Sequence, residues 1–410
     1  MTDDLYSVLR RRLMSRLRSS GEAGDEEILS IITDLVNEAH KEKYLSLEER
    51  SRLSRELFAS VRRLDILEEL LADPAVSEVM VNGFGPGAIF YEKDGVLTRW
   101  DKTFSSREKL DDVISQIVGR VNRVVNESSP IVDARLPDGS RVNVVVAPAA
   151  LNGPVLTIRR FPKESITMAR LIRLGSASRE AAAFLERAVA AGYSMVIGGG
   201  TSAGKTTFLN ALSSYIPSGE RIITIEDNAE LQIQGIDNLV RLEAKSANME
   251  GAAAVSIRDL IRASLRMRPD RIIVGEVRGG EAVDMLQAMN TGHDGSLCTL
   301  HANSCEDMLS RLETMVLMAF PLPLPAIRRQ IASGVDIAVH LGRLRDGSRR
   351  VLEIAEVAGV REGEVALNPL FIWDEARRSL REVGKLSHTL KMERVFGPGW
   401  QEYRKGQSGA

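Results

Sequence analysis

Residues 199–206 read Gly199-Gly200-Thr201-Ser202-Ala203-Gly204-Lys205-Thr206, a glycine-rich stretch closed by a lysine and a threonine. These residue types suit phosphate. Glycines let successive backbone N–H groups curl around phosphate oxygens, and the N-terminus of a following helix adds partial positive charge. The apolar run 194–197 ahead of the loop reads as a strand and 207–215 behind it as a helix, the order the motif requires. In that setting Lys205 is expected to reach the β- and γ-phosphates of a nucleotide, and the Thr206 hydroxyl to bind Mg²⁺. No Asn-Lys-x-Asp guanine reader occurs in the chain, so ATP is favoured over GTP.

Two further apolar runs end in carboxylates. Residues 271–275 lead into Glu276, and residues 221–225 into Glu226-Asp227. In an open α/β sheet, strand ends of this kind deliver their side chains to the edge where ligands bind. The pair provides one carboxylate for the metal and one to orient an attacking water. Histidines flank another strand-like run: His293 precedes 297–300 and His301 follows it. A zinc pair is one reading, but no cysteine or carboxylate set with metal spacing accompanies them; an interior hydrogen-bonded histidine is the other. Arg135, Arg141, Arg159 and Arg160 cluster in strands further upstream. They serve either as solubilising surface charge or as positive charge delivered to a γ-phosphate.

The elements that must position these residues follow from pattern. Residues 1–65 carry apolar positions at helical spacing, with Ser46 placed as an N-cap and a turn at 19–24, and read as a helical bundle. Residues 66–163 alternate like strands around one amphipathic helix at 106–125, with hairpin-type turns at Asn82-Gly83 and Asp94-Gly95, an α+β domain. Residues 164–178 read as a linker. From 179 to 375 apolar strands alternate with helices, implying a mostly parallel sheet, with a hairpin turn at 345–348. Residues 376–410 read as a charged C-terminal tail.

Composition narrows the class. Lys plus Arg number 54 and Asp plus Glu 56, a formal charge of −2, which argues against stable nucleic-acid binding. Two cysteines, Cys298 and Cys305, support neither a disulfide framework nor zinc knuckles, and point to a reducing cytosol. The first 18 residues lack a signal-peptide core, and no run of about 18 apolar residues occurs. Membrane association is therefore expected to be peripheral, through partners.

Four ordered stretches now carry a resemblance. The phosphate loop, Ile225-Glu226-Asp227 with Glu230-Leu231, Arg268-Pro269-Asp270 through Arg278, and Thr291-Gly292-His293 through Asn303 resemble four boxes: the Walker A, Asp, Walker B and His boxes. These belong to the traffic ATPases of type II secretion, type IV pili and type IV secretion. Within that superfamily the chain looks most like the tight-adherence (Tad/Flp) pilus assembly ATPases, the CpaF-like group. That closer likeness rests on Val76-Ser77-Glu78-Val79-Met80-Val81-Asn82-Gly83, Asp133 through Asn143, and Arg345-Asp346-Gly347-Ser348-Arg349-Arg350. The tetracysteine module of many type II secretion ATPases is absent from the sequence. The resemblance implies an α/β chain: a RecA-like C-terminal domain, a PAS-like α+β domain before it, and an N-terminal helical bundle. It implies a cytoplasmic homo-hexamer at the inner-membrane face that hydrolyses ATP with Mg²⁺. This motor would power pilus assembly through an inner-membrane platform protein, with retraction left open. It implies that residues Gly199, Gly200, Thr201, Ser202, Ala203, Gly204, Lys205, Thr206 and Thr207 bind the nucleotide. It further implies that Thr206 and Glu276 hold the metal, that Glu226 polarises the attacking water, and that His301 lies near the γ-phosphate with His293 nearby. Finally, it implies that Arg135, Arg141 and Arg159 or Arg160 approach the nucleotide. The Ser202-Ala203 pair replaces the commoner Gly-Ser and is expected to be tolerated.

Overall fold

The computed structural model describes residues 2–20, 25–42, 44–62, 64–93, 95–119, 123–136, 138–160, 166–245 and 254–400. The expected turn at 21–24, Asp94 of the second expected hairpin turn and the linker's start at 164–165 lie outside them. The chain forms two compact units, residues 1–163 and 164–410.

The first unit opens with three helices, α1 (Thr2–Ser20), α2 (Asp25–Glu42) and α3 (Leu47–Arg62). Their apolar stripes recur at helical spacing and meet: Leu9 and Leu13 pack with Ile28, Ile32, Leu35, Leu53 and Leu57. Ser46 caps α3 reciprocally with Glu49. Ser46 Oγ accepts the Glu49 N–H at 3.2 Å, and the Glu49 carboxylate accepts the Ser46 N–H at 2.8 Å.

A short helix α4 (Leu67–Ala72) leads into strands β1 (Val76–Asn82), β2 (Ile89–Lys93) and β3 (Val96–Arg99). Helix α5 (Arg107–Gly119) and strands β4 (Ile131–Arg135), β5 (Arg141–Val145) and β6 (Val155–Arg159) complete the unit. The six strands form one antiparallel sheet in the order β3-β2-β1-β6-β5-β4. One face of the sheet is apolar. Val79, Ile158 and Val142 are paired neighbours on it, and they pack against Leu110, Ile114 and Ile117 of α5. Asn82-Gly83 opens the antiparallel β1–β2 hairpin as expected, with a connection that spans residues 83–88 and places Gly83, Gly85 and Gly87 at positive φ. One expectation is corrected here: residues 123–125, expected to close the helix, are not helical, and the described bounds of α5 are Arg107–Gly119.

The second unit begins with α6 (Met168–Arg173), capped by Thr167, and α7 (Arg179–Ala190), capped by Ser178. The stretch read as a linker thus carries a helix whose Met168 and Leu171 are buried. There follow β7 (Met195–Gly199), α8 (Lys205–Ser213), β8 (Ile222–Glu226), β9 (Leu239–Glu243), α9 (Ile257–Ser264) and β10 (Arg271–Val274). Next come α10 (Glu281–Asn290), β11 (Leu297–Leu300), α11 (Cys305–Ala319), α12 (Leu324–Gly334) and β12 (Ile337–Arg343). The unit closes with β13 (Arg349–Arg361), β14 (Glu364–Asp374), β15 (Ser379–Glu382) and α13 (Leu390–Phe396).

The sheet order is β15-β14-β13-β12-β7-β11-β10-β8-β9. The six strands from β12 to β9 run parallel, and β13 to β15 extend them as an antiparallel meander. Every residue of β7, β8, β10 and β11 is buried, as expected when helices cover both faces of a parallel sheet. Alternate residues feed separate cores. Met195 and Ile197 join Phe184, Leu209 and Leu212, whereas Val196 joins Ile261, Met285 and Met308.

Residues 376–400, within the stretch read as a charged tail, pack onto the rest of the unit. β15 pairs with β14, and Leu380, Leu386, Met392 and Trp400 are buried in the main core. Burying each such side chain is worth about 1.5–3 kcal/mol. Polar ties add to this: Tyr193 donates to the His388 carbonyl at 2.6 Å, and Lys391 bonds Asp336 at 2.8 Å and Asp294 at 2.9 Å.

Candidate active site

The phosphate loop leaves the C-terminal end of β7, between β12 and β11. Gly198 and Gly199 are required by close packing. A Cβ on Gly198 would lie 2.5 Å from Met308 Cε, and one on Gly199 would lie 2.5 Å from the Leu341 carbonyl oxygen. The chain then turns through left-handed backbone at Ser202, φ 59°, and Gly204, φ 93°. Gly204 stands at the N-cap of α8 with no side-chain cap, so the first N–H groups of that helix remain for an anion. Lys205 is buried, and its ammonium donates back to the Gly199 and Gly200 carbonyls at 3.0 and 3.1 Å. Burial holds its pKa below the ordinary lysine value, against the upward pull of Glu276.

Parallel pairing brings three other strand ends to the same edge. Gly198 pairs with Leu300, Cys298 with Val274, and Val274 with Ile225. His301, Glu276 and Glu226 therefore leave the sheet alongside the loop. Lys205 Nζ lies 3.3 Å from His301 Nδ1, and His301 Nε2 lies 2.8 Å from Glu276 Oε1. Arg278 continues the chain, 2.6 Å from Glu276 Oε2 and 3.4 Å from Asp227 Oδ2. Burial, then the neighbouring Lys205 charge, lowers the His301 pKa and keeps the ring neutral. An ammonium facing Nδ1 makes that nitrogen the acceptor and puts the ring proton on Nε2, which faces Glu276 Oε1 without making a hydrogen bond to it.

Glu226 is the most buried carboxylate of the group. Its Oε1 accepts the N–H groups of Glu230 and Leu231, both at 2.9 Å, while Oε2 has no protein partner. Burial pushes its pKa up to about 7, within reach of proton exchange at neutral pH. Gly275 backs it so closely that a Cβ there would lie 2.8 Å from Glu226 Cγ. Gly275→Ala should therefore displace the carboxylate and lower kcat about tenfold or more. A phosphate-release assay checks this. A KM for ATP within about twofold of wild type would separate lost positioning from lost binding.

Nucleotide and magnesium fit this arrangement. The uncapped α8 terminus and the left-handed loop form an anion cradle, and the free Glu226 oxygen is an acceptor for a water. Thr206 and Glu276 offer the hard oxygen donors that magnesium takes. When bound, the ion would neutralise charge on the phosphoryl group being transferred.

The other sequence candidates separate. His293 precedes β11, at the opposite edge of the sheet from His301. Its Nδ1 lies 3.2 Å from the Ala288 carbonyl oxygen. The length of β11, about 13 Å, stands between the two histidines, so the expectation of both beside one phosphate is corrected within this unit. No group of three His, Cys, Asp or Glu residues able to hold a metal occurs among the described residues. In the first unit Arg135, Arg141 and Arg159 are cross-strand partners in one row. Arg160 leaves that row, and its guanidinium bonds the Asp73 and Val76 carbonyls. Two arginines acquire a place that the sequence reading does not give them. Arg278 is legible only as a cation two residues after a strand-end carboxylate. Arg349, which donates Nε to the Ser202 carbonyl at 2.9 Å, stands in the sequence only as part of the 345–350 stretch, with nothing local to place it at the loop.

A phosphate-binding loop on a parallel sheet, with a strand-end carboxylate poised to accept a water, defines an ATP hydrolase. A family model described as "Type II/IV secretion system protein" matches residues 61–370. A putative conjugal transfer protein of Mycobacterium tuberculosis is 34% identical over 336 residues, covering 80% of this chain and 93% of that protein. The type IV secretion system protein PtlH of Bordetella pertussis is 35% identical over 318 residues, covering 71% of this chain and 93% of its own length. The Legionella pneumophila ATPase DotB shares the fold, with a TM-score of 0.52 at 21% identity over 71% of this chain and 78% of that one. The chain belongs to the type II/IV secretion system protein family.

Proposed function

We propose that this chain is a cytoplasmic hexameric motor that hydrolyses ATP to power assembly of a tight-adherence or type IV-like pilus through an inner-membrane platform protein. The hydrolytic part rests on one observation: a buried Glu226 carboxylate with a free oxygen, at the same sheet edge as Lys205. In this reading Glu226 orients the attacking water, Thr206 and Glu276 hold Mg²⁺, and His301 stands between Lys205 and Glu276. Residues 66–163 act as a PAS-like domain and residues 179–375 as a RecA-like domain. Arg135, Arg141 and Arg159 are the candidates to bring positive charge to the phosphates. Arg160 is not, because backbone carbonyls engage it. The pilus assignment is supported by the three tight-adherence-like stretches at 76–83, 133–143 and 345–350 and by the helical N-terminus. No helix among the described residues is long and apolar enough to cross a membrane, which fits a motor acting through a membrane partner.

A second reading, a type IV secretion ATPase, is favoured by the identity to PtlH and to the putative conjugal transfer protein. A strain carrying Lys205→Ala in the chromosomal copy distinguishes them. Loss of surface filaments supports the pilus motor. Intact filaments with lost protein or DNA transfer support the second reading, and a strain unchanged in both respects defeats both. Native mass spectrometry with an ATP analogue should show an assembly of six 45.0 kDa chains.

A further inference from the structure

Ser202 is one of five described non-glycine residues with positive φ, and the one that lies in the phosphate loop. A side chain at φ 59° is strained, because its Cβ crowds the neighbouring peptide. Such a conformation persists only when its surroundings hold it. A contact from a distant part of the chain reaches this residue. Arg349, at the start of β13, donates Nε to the Ser202 carbonyl at 2.9 Å. Its stem also lies over the next turn of the loop, with Cδ 3.4 Å from where a Cβ on Gly204 would stand.

Arg349 is itself held on both sides. Arg343 pairs with it across the β12–β13 hairpin. The next residue, Arg350, donates to the Leu174 carbonyl at the end of α6, and the Val351 N–H donates to Ser176 at 2.7 Å. Strand β13 thus ties the phosphate loop to the segment that opens this unit.

We infer that Arg349 is a positioning residue for ATP binding: through the Ser202 carbonyl it holds the loop in its left-handed, phosphate-ready form. This rests on the reading of residues 199–206 as the nucleotide loop. Arg349→Ala should weaken ADP binding about fivefold and raise KM for ATP by a similar factor, with kcat changed less than about twofold. The specific test is a double-mutant cycle with Ser202→Gly, since glycine takes positive φ without the steric penalty. The loss caused by Arg349→Ala, read by calorimetry with ADP, should shrink to under about twofold in the Ser202→Gly background. An equal loss in both backgrounds means that Arg349 acts on the nucleotide directly, and no loss in either removes its role. Either result overturns the inference.

Amide hydrogen exchange without nucleotide gives an independent readout. Exchange at 200–204 should be faster in Arg349→Ala than in wild type, and equal exchange counts against the proposal. Wild-type protein that binds no ADP defeats the reading of the loop instead, while the exchange measurement still decides the role of Arg349.

Discussion

Glu226→Gln should lower kcat for ATP hydrolysis at least a hundredfold, on the order of effects seen when a group that organises the transition state is removed. Nucleotide should still bind, because Gln retains a carbonyl oxygen to accept the Glu230 and Leu231 N–H groups that shape the strand end. The wild-type enzyme should show kcat/KM falling with unit slope below about pH 7, where the carboxylate takes up its proton. The same shift sets a stability prediction. Burial raises this carboxyl from its ordinary 4.5 to about 7. Between those values the folded chain holds a proton that the unfolded chain has lost, so this contribution to stability falls as pH rises through the window. Above pH 7 the buried charge costs the folded state about 1–3 kcal/mol. Glu226→Gln should therefore melt at a higher temperature than wild type at pH 8 and lose that advantage near pH 4.5. Wild-type turnover in this variant would refute the water-orienting role. A variant that is both inactive and less stable at pH 8 would mean that the carboxylate is chiefly structural.

Lys205→Ala should reduce nucleotide affinity about a hundredfold, the worth of a charge-assisted contact with phosphate in a partly desolvated loop. Its cost to the nucleotide-free protein should be small. The ammonium is buried and its charged form is already disfavoured, so removing it relieves a desolvation penalty while giving up two bonds to carbonyls. Calorimetry with ADP and a thermal melt without nucleotide separate the two effects. Retained affinity would mean that the backbone cradle alone holds the phosphates. A collapsed melt would mean that Lys205 braces the loop rather than serving the ligand.

Much of the catalytic edge is legible in the order of residues alone. The glycine pattern with its flanking strand and helix, and the two apolar runs that end in Glu226 and Glu276, are local features. Their covalent spacing dictates a strand, a turn and a helix start whatever the rest of the chain does. The N-cap at Ser46 and the hairpin turn at 345–348 are readable for the same reason. The segment beyond Asp374 gives little local signal because its apolar anchors are few and widely spaced. Leu380, Leu386, Met392 and Trp400 show no helical or strand period, and their burial depends on a groove supplied by the rest of the unit.

What sequence alone determined is a phosphate-loop pattern, a hydroxyl and two strand-end carboxylates as candidates for metal and water, and a composition of balanced charge. Tertiary structure decided which of the candidates meet. Sheet order, with β11 beside β7, sets His301 next to Lys205, whereas the position of His293 ahead of β11 leaves it at the other end of that strand. Strand pairing aligns Arg135, Arg141 and Arg159, while one residue further on Arg160 turns to backbone carbonyls. The contact from Arg349 to Ser202 spans 147 residues. Local backbone preferences act over a few residues. Contacts of that separation arise only when the whole sheet closes, so no short stretch of sequence encodes them.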